Sequence, residues 1–172
     1  MYKGSKSMKT LIAINGTNNE YTQSEKSLES ALSQGCDICL ITNKKITAPN
    51  GVKILVTENE FVKSSIQFAN NYNFVYLMEP NTVLLDNCIK KITQIEEMYS
   101  YAYSDYYIYY NRGNAAFSQI NFLQSLIDKK IDTGPNKLIR VSKNLPSKLD
   151  EILYSGMFLA KHIAEPTYFI EN

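Results

Sequence analysis

A carboxylate and a side-chain amide follow an apolar stretch near the middle of the chain, in the turn Glu79-Pro80-Asn81-Thr82. The apolar stretch, Phe74 to Met78, has the composition of a strand that is covered on both faces. In open α/β sheets, ligands bind at the carboxyl ends of the strands. Mg²⁺ and Mn²⁺ prefer hard oxygen ligands, usually one or two carboxylates together with substrate phosphates. Glu79 and Asn81 are therefore the predicted ligands of a divalent cation; the alternative is a surface turn without a ligand.

Three other carboxylates are candidates for a general base, which must lie within hydrogen-bonding reach of a reacting hydroxyl. Asp150 and Glu151 are adjacent near the start of a predicted helix, and Asp105 lies within a run of tyrosines. Acidic residues in a first helical turn also complement the helix dipole, so a structural role for Asp150 and Glu151 stays open. His162 is the only histidine, which argues against a histidine metal site or a Ser–His relay.

The elements that must position these residues alternate between strand and helix patterns along the chain. Apolar or alternating runs predict strands over 10–14, 37–42, 52–57, 74–78, 99–110, 138–141 and a last strand formed by 162–164 and 167–170. Helical spacing predicts helices over 23–34, 59–71, 83–98, 117–129 and 146–161. Pro166 interrupts the last strand and predicts that it lies at a sheet edge. This order predicts an α/β fold with a mostly parallel open sheet and helices on both faces.

Composition excludes several classes of protein. The 172 residues carry a net charge of +1, so the chain lacks the basic surface that phosphate-driven nucleic-acid binding needs. No apolar run approaches the roughly 20 residues that cross a bilayer, and none resembles a signal peptide. Three cysteines, an odd number, fit a reducing compartment better than a disulfide framework. We therefore predict a cytoplasmic protein without a transmembrane segment. Residues 1–8 are predicted to be a flexible leader, and residues 9–172 one domain.

Several segments resemble the inverting nucleotide-sugar glycosyltransferases of the GT-A fold, family 2 and its relatives. The polar loop and helix of residues 19–35, with the pattern Ser-Leu-Glu-Ser-Ala-Leu-Ser-Gln, are similar to the first helix of that family. Residues 37–43 correspond to its second strand, and residues 74–87 to the strand that leads to its Asp-x-Asp turn. Tyr103-Ser-Asp105 and residues 162–168 resemble later segments. The similarity extends over most of 9–170 and implies a compact, Rossmann-related GT-A-like domain.

The resemblance also implies roles for individual residues. Glu79 and Asn81 occupy the Asp-x-Asp positions, where the family binds a metal ion and the donor diphosphate. Thr42 and Asn43 stand where the family has a base-binding aspartate, and Lys63 corresponds roughly to a frequent arginine. With Asn15 of the polar loop, these three would line a nucleotide pocket. The base that the family places in a late acidic pair would be Asp150 or Glu151, with Asp105 as the other candidate.

The sequence thus predicts a metal-dependent transferase, using Mn²⁺ or Mg²⁺, if the chain is catalytic. It would move a sugar from a nucleotide-diphosphate donor to a hydroxyl on a sugar or protein acceptor, with inversion. The alternative is a non-catalytic GT-A-like binding or assembly module in an oligomer or a larger complex. The reduced number of acidic residues favours that alternative, whereas Glu79 and the polar loop favour the enzyme. An unrelated doubly wound α/β domain is a third possibility.

Overall fold

The computed structural model describes residues 8–17, 25–110, 114–118, 136–142 and 159–171. Within these ranges the chain forms nine strands: β1 (Thr10–Gly16), β2 (Asp37–Thr42), β3 (Val52–Val56), β4 (Phe74–Met78), β5 (Thr82–Leu84), β6 (Tyr101–Tyr110), β7 (Asn114–Ser118), β8 (Lys137–Arg140) and β9 (Ala160–Glu171). The same ranges contain three helices: α1 (Glu25–Leu32), α2 (Phe61–Phe68) and α3 (Cys88–Ile92).

Strands β1 to β4 form the parallel half of one sheet. Strand β1 pairs in parallel with both β2 and β4, and β3 pairs in parallel with β2. Every residue of β1 and β4 is buried, as expected for apolar runs covered on both faces. Because β1 has β2 on one side and β4 on the other, the strand order reverses between β1 and β4. Such a switch point is where open α/β sheets bind ligands.

The other half of the sheet is mixed. The order across the sheet is β3-β2-β1-β4-β8-β6-β9-β5, and β7 pairs with β6 outside this path. Strand β8 runs antiparallel between β4 and β6, so β6 has the same direction as β4. Strand β9 is parallel to β6, and β5 is antiparallel to β9. The protein therefore has an α/β fold, but among the described residues half of the strand pairings are antiparallel.

Alternating side chains divide the core into two clusters. One contains Ile12, Ile14, Tyr76 and Met78 of the central strands, together with residues of α1 and α3. The other contains the intervening residues of the same strands, such as Ala13 and Leu77, packed with residues of α2. This period-two alternation is the strand pattern seen in the sequence.

Two predicted helices are wrong where the structure describes them. Residues 82–84 form β5, not the start of a helix, because their backbone pairs with β9 from Thr82 to Leu84. Of the helix predicted over 83–98, the structure contains only α3, from Cys88 to Ile92. Phe117 and Ser118, which were predicted to begin a helix, end strand β7 and pair with β6. Residues 119–129 lie outside the described ranges, as do 143–158, which include most of the last predicted helix.

The predicted edge position of the last strand is also wrong. Strand β9 is continuous from Ala160 to Glu171 and lies between β6 and β5. Pro166 is accommodated there because it stands opposite Asp105, where the register between the two strands shifts. A bulge is one of the few places where a strand tolerates a residue without a backbone N–H.

The remaining described elements agree with the predictions to within a few residues. The predicted helices over 23–34 and 59–71 correspond to α1 and α2, and the predicted tyrosine-rich strand corresponds to β6. In the part of the chain that the structure describes, no helix is long and apolar enough to cross a membrane.

Candidate functional site

The carboxyl ends of β1 and β4 bring two predicted site residues into contact. Ile14 is the register partner of Met78, so the next residues, Asn15 and Glu79, are level with each other. Asn15 Nδ2 donates a hydrogen bond of 2.9 Å to Glu79 Oε2, although the two residues are 64 positions apart in the chain. The contact spans the switch point of the sheet, where a ligand is expected.

Asn15 is held in one orientation by its own loop. Its side-chain oxygen accepts hydrogen bonds from the backbone N–H of Thr17, at 3.2 Å, and from the Thr17 hydroxyl, at 2.7 Å. An amide oxygen only accepts and an amide nitrogen only donates, so this pattern directs Nδ2 to the carboxylate. The sequence Asn15-Gly16-Thr17 thus fixes a donor beside Glu79.

Glu79 is partly buried in a polar environment made by β8. Its backbone N–H donates to Asn136 Oδ1 at 2.9 Å. Burial raises the pKa of the Glu79 carboxyl above its ordinary value, while the hydrogen bond from Asn15 and the charge of Lys137 offset part of the rise. Among the described residues, Asn15 is the donor to this carboxylate, through Oε2.

The donor set around Glu79 fits a divalent cation only if a ligand supplies further oxygens. Asn81 is exposed and has a left-handed backbone with φ of 61°, a conformation that asparagine tolerates better than most residues. The described residues contain no group of three or more His, Cys, Asp or Glu side chains that could hold a metal ion. One carboxylate together with substrate phosphates is nevertheless a common way for proteins to bind Mg²⁺.

The other predicted nucleotide-binding residues lie near this edge without contacting Glu79. Thr42 ends β2, one residue after the partner of Asn15, so alternation turns its side chain to the opposite face. Its hydroxyl accepts a hydrogen bond of 3.2 Å from the backbone of Lys44. Asn43 follows and is exposed, and Lys63 lies in the first turn of α2 and is partly buried.

Asp105 is placed at the same edge, two strands away from Glu79. Tyr76 of β4 is opposite Leu138 of β8, which is opposite Ala102 of β6. Extending this register three residues along both strands, beyond the last paired residues, puts Asp105 level with Glu79. Asp105 is buried, with 3% relative exposure, and its Oδ1 lies 2.8 Å from His162 Nε2. Asp150 and Glu151, the other predicted bases, lie outside the described residues.

Three residues of this region were not predicted as functional. Asn136 and Lys137 precede an apolar run and carry no motif, although Gly134-Pro135 before them signals a turn. His162 was considered and set aside because it is the only histidine. Its acidic partner is 57 positions away in sequence, and only the pairing of β6 with β9 brings them together.

A shallow depression of about 330 Å³ lies at the opposite end of the strands. Three of its ionisable side chains are paired with one another: the Tyr72 hydroxyl donates to Asp37 at 2.7 Å, and Lys53 lies 4.0 Å from the same carboxylate. Burial, together with the bond to Asp37, raises the pKa of Tyr72 to about 12. Because these groups are already paired and lie away from the switch point, we assign the site to the edge formed by Asn15 and Glu79.

Comparison with known proteins finds similarity in structure but not in sequence. No protein-family model matches the chain, and no curated protein matches it. Among solved structures, residues 1–349 of Staphylococcus aureus TarS, a glycosyltransferase, match with a TM-score of 0.60 and 13% identity. That match covers 95% of this chain, which spans 60% of the TarS chain.

A second solved structure is also similar in fold. A putative glucose-1-phosphate thymidylyltransferase from Bacillus anthracis, in complex with a sucrose, matches with a TM-score of 0.52 and 11% identity. The match covers 94% of this chain and 88% of the other. At such identities the similarity establishes the fold alone: the chain shares the α/β fold of these two structures.

Proposed function

We propose that the protein binds a nucleoside-diphosphate sugar at the carboxyl edge of β1 and β4 and transfers the sugar, with inversion, to a hydroxyl of a sugar or protein acceptor. The observation that carries this proposal is the Asn15–Glu79 hydrogen bond at the switch point of a fold shared with a glycosyltransferase. The site is where an open α/β sheet binds its ligand, and it contains the partly buried carboxylate of Glu79.

The chemistry assigns a task to each side chain. Glu79, with Asn81 beside it, would hold Mg²⁺ or Mn²⁺ together with the diphosphate oxygens of the donor. When bound, the cation would offset the negative charge that develops on the leaving diphosphate. Asn15 holds the Glu79 carboxylate in place, since its Nδ2 donates to Oε2. Thr42, Asn43 and Lys63 would border the nucleoside in this GT-A-like arrangement.

The electrostatics of Glu79 support a functional role. A carboxylate whose pKa is raised by burial destabilises the folded protein when it is charged. A neutral amide at the same position could accept the bond from Asn15 without that cost. Groups held in unfavourable environments are typical of functional sites, where stability is commonly lower than it could be.

A second candidate function is donor binding without transfer, in a non-catalytic module. It is favoured by the single carboxylate at the cation position and by Thr42 and Asn43, which offer no charge. The two candidates differ in one outcome. Both bind the donor, but only the transferase releases nucleoside diphosphate from it.

The experiment is a calorimetric titration of the protein with UDP-glucose, UDP-N-acetylglucosamine, GDP-mannose, UDP and GDP, each in the presence of Mn²⁺. At least one of the sugar nucleotides is expected to bind, and its binding is expected to be lost in Glu79→Ala. Release of UDP or GDP from the bound donor then separates the transferase from the binding module. Absence of binding by every nucleotide in the panel would overturn the proposal.

A further inference from the structure

The described residues contain one buried acidic group in direct contact with a histidine, and it lies at the same sheet edge as Glu79. Asp105 Oδ1 and His162 Nε2 are 2.8 Å apart, and the exposed fraction of the two side chains is 4% for Asp105 and 34% for His162. A buried carboxylate that orients a solvent-accessible imidazole is the arrangement of a general base and its positioning group.

The β-sheet builds this pair through an irregularity. His162 is the register partner of Tyr103, and the two rings stack with centroids 5.1 Å apart and planes 13° apart. The register then shifts, so that Asp105 stands opposite Pro166 and the residues between Ile163 and Pro166 have no partner on β6. Bulges of this kind often lie next to active sites, where they redirect a side chain.

The polar side chains that neighbour this pair on β6 and β9 have partners of their own. Beside Asp105, the buried Ser104 hydroxyl bonds the Thr167 hydroxyl at 2.6 Å and fastens β6 to β9. On β9, Lys161 lies 3.7 Å from Glu96, and Glu165 lies 3.3 Å from Lys91. Both flanking charges therefore have other partners. Asp105 contacts the imidazole directly and the Tyr103 ring stacks on it, while the buried Lys137 on the neighbouring β8 is a further ionisable group on this part of the sheet.

Resting on the transferase function proposed above, we propose that His162 is the general base that deprotonates the acceptor hydroxyl, and that Asp105 is its positioning residue. A carboxylate only accepts, so Asp105 keeps the proton on Nε2 and leaves the Nδ1 lone pair to act as the base. This differs from the sequence-based prediction, in which Asp105, Asp150 or Glu151 acted directly.

The position of the pair fits the geometry of transfer. Extended beyond the last pairs of β4 and β6 with β8, the strand register puts Asp105 level with Glu79 and two strand positions away, which corresponds to roughly 10 Å at the spacing of neighbouring strands. The donor diphosphate at Glu79 and the acceptor at His162 would thus lie on either side of the transferred sugar. An inverting displacement requires this opposed arrangement of leaving group and attacking hydroxyl.

The step balances without a further reactant. The acceptor oxygen forms a bond to the anomeric carbon while its proton passes to His162 Nδ1. The bond from that carbon to the phosphate oxygen breaks, and the nucleoside diphosphate leaves with the electron pair. The imidazolium formed is stabilised by the Asp105 carboxylate and returns its proton to solvent.

The first test measures donor affinity and turnover separately. With UDP-glucose, UDP-N-acetylglucosamine and GDP-mannose in the presence of Mn²⁺, and with water or a supplied sugar as the acceptor, His162→Gln should bind the donor within about 3-fold of wild type. It should release nucleoside diphosphate about 100-fold or more slowly, the usual contribution of a general base. Glu165→Gln, on the same strand, is the matched control and should keep wild-type turnover.

The second test needs no activity. Because the chain has a single histidine, the ¹⁵N signals of its imidazole belong to His162 without assignment. Wild-type protein should show the neutral tautomer with the proton on Nε2, and Asp105→Asn should shift that tautomer population and lower turnover about 10-fold or more. A merely structural Asp105 would lower stability without changing the tautomer.

The outcomes separate this proposal from the transferase function. Donor binding with unchanged turnover in His162→Gln, or a wild-type tautomer protonated on Nδ1, overturns the base assignment and leaves the transferase function standing. Donor binding without release of nucleoside diphosphate by wild type, to water or to a supplied sugar acceptor, overturns both the base and the transfer, and leaves donor binding. No binding by any donor overturns the function itself.

Discussion

Glu79 holds a carboxylate where burial opposes its charge, and this has a consequence for stability. Because the pKa of Glu79 is raised in the folded state, its contribution to stability is fully present below the ordinary carboxyl pKa and is lost as pH rises through the raised value. Glu79→Gln should therefore unfold at a higher temperature than wild type near neutral pH. The gain should vanish in acid, where the carboxyl is protonated in both states.

Thermal unfolding of the two proteins across this pH range checks the prediction. Glu165→Gln is a suitable control, since its surface ion pair with Lys91 contributes little. A wild-type protein that is more stable than Glu79→Gln at neutral pH would mean that Asn15 and Lys137 outweigh the effect of burial.

Two substitutions of Asn81 can separate its role in the backbone of the turn from its predicted role as a cation ligand. Its φ of 61° lies in the left-handed region, which glycine adopts without strain. Asn81→Gly should therefore keep the stability of wild type within about 0.5 kcal/mol, whereas Asn81→Ala should lose about 1 kcal/mol. If the amide contacts the cation or the diphosphate, both variants should bind the sugar nucleotide more weakly.

The measurements are urea unfolding and calorimetric titration with the donor in the presence of Mn²⁺. Donor affinity that stays at the wild-type value in Asn81→Gly would limit Asn81 to its role in the turn and remove it from the predicted cation ligands.

At the scale of elements, a hydrogen bond between two buried hydroxyls links the paired strands β6 and β9. Thr167→Val should cost about 1–3 kcal/mol in the free energy of unfolding, because the buried Ser104 hydroxyl loses the 2.6 Å partner. The double variant Ser104→Ala with Thr167→Val should cost less than the sum of the two single variants. Denaturant unfolding of wild type, the two single variants and the double variant measures the interaction energy of the two hydroxyls in a double-mutant cycle. Strict additivity would show that the two hydroxyls do not interact.

The elements that the sequence predicts well are those whose pattern is local. The apolar runs of β1, β2 and β4 follow from burial on both faces, and the ends of those strands correctly indicate where Asn15 and Glu79 lie. Strand β5 was mispredicted as a helix because Val83, Leu84 and Leu85 suit either structure. Its pairing with β9, far along the chain, decides the outcome.

Long-range pairing explains the rest of what the sequence does not reveal. Asp105 was recognised as a candidate, but its contact with His162 depends on the register of β6 against β9 and on the shift opposite Pro166. Likewise, no sequence motif predicts that Asn136 and Lys137 lie beside Glu79. These contacts depend on sheet order, which composition and periodicity do not encode.

At the scale of the whole molecule, the parallel half and the mixed half of the sheet contribute different parts of the proposed mechanism. The parallel half supplies the switch point with Asn15 and Glu79, where the donor diphosphate would bind. The mixed half supplies Asp105 and His162, where the acceptor would bind. If Glu79 is the carboxylate that the described residues supply to the proposed cation position, the cation and the donor should bind cooperatively, since each completes the other's site.

The most direct test measures thermal unfolding with Mn²⁺ alone, with the sugar nucleotide alone, and with both, in wild type and in Glu79→Gln. Wild type should be stabilised strongly only by the combination, by about 2.7 kcal/mol when the donor is at 100 times its Kd. Mn²⁺ alone should have little effect, and Glu79→Gln should lose the added effect of the metal. Equal stabilisation of the two proteins by donor and Mn²⁺, or none in either, would contradict the proposed site.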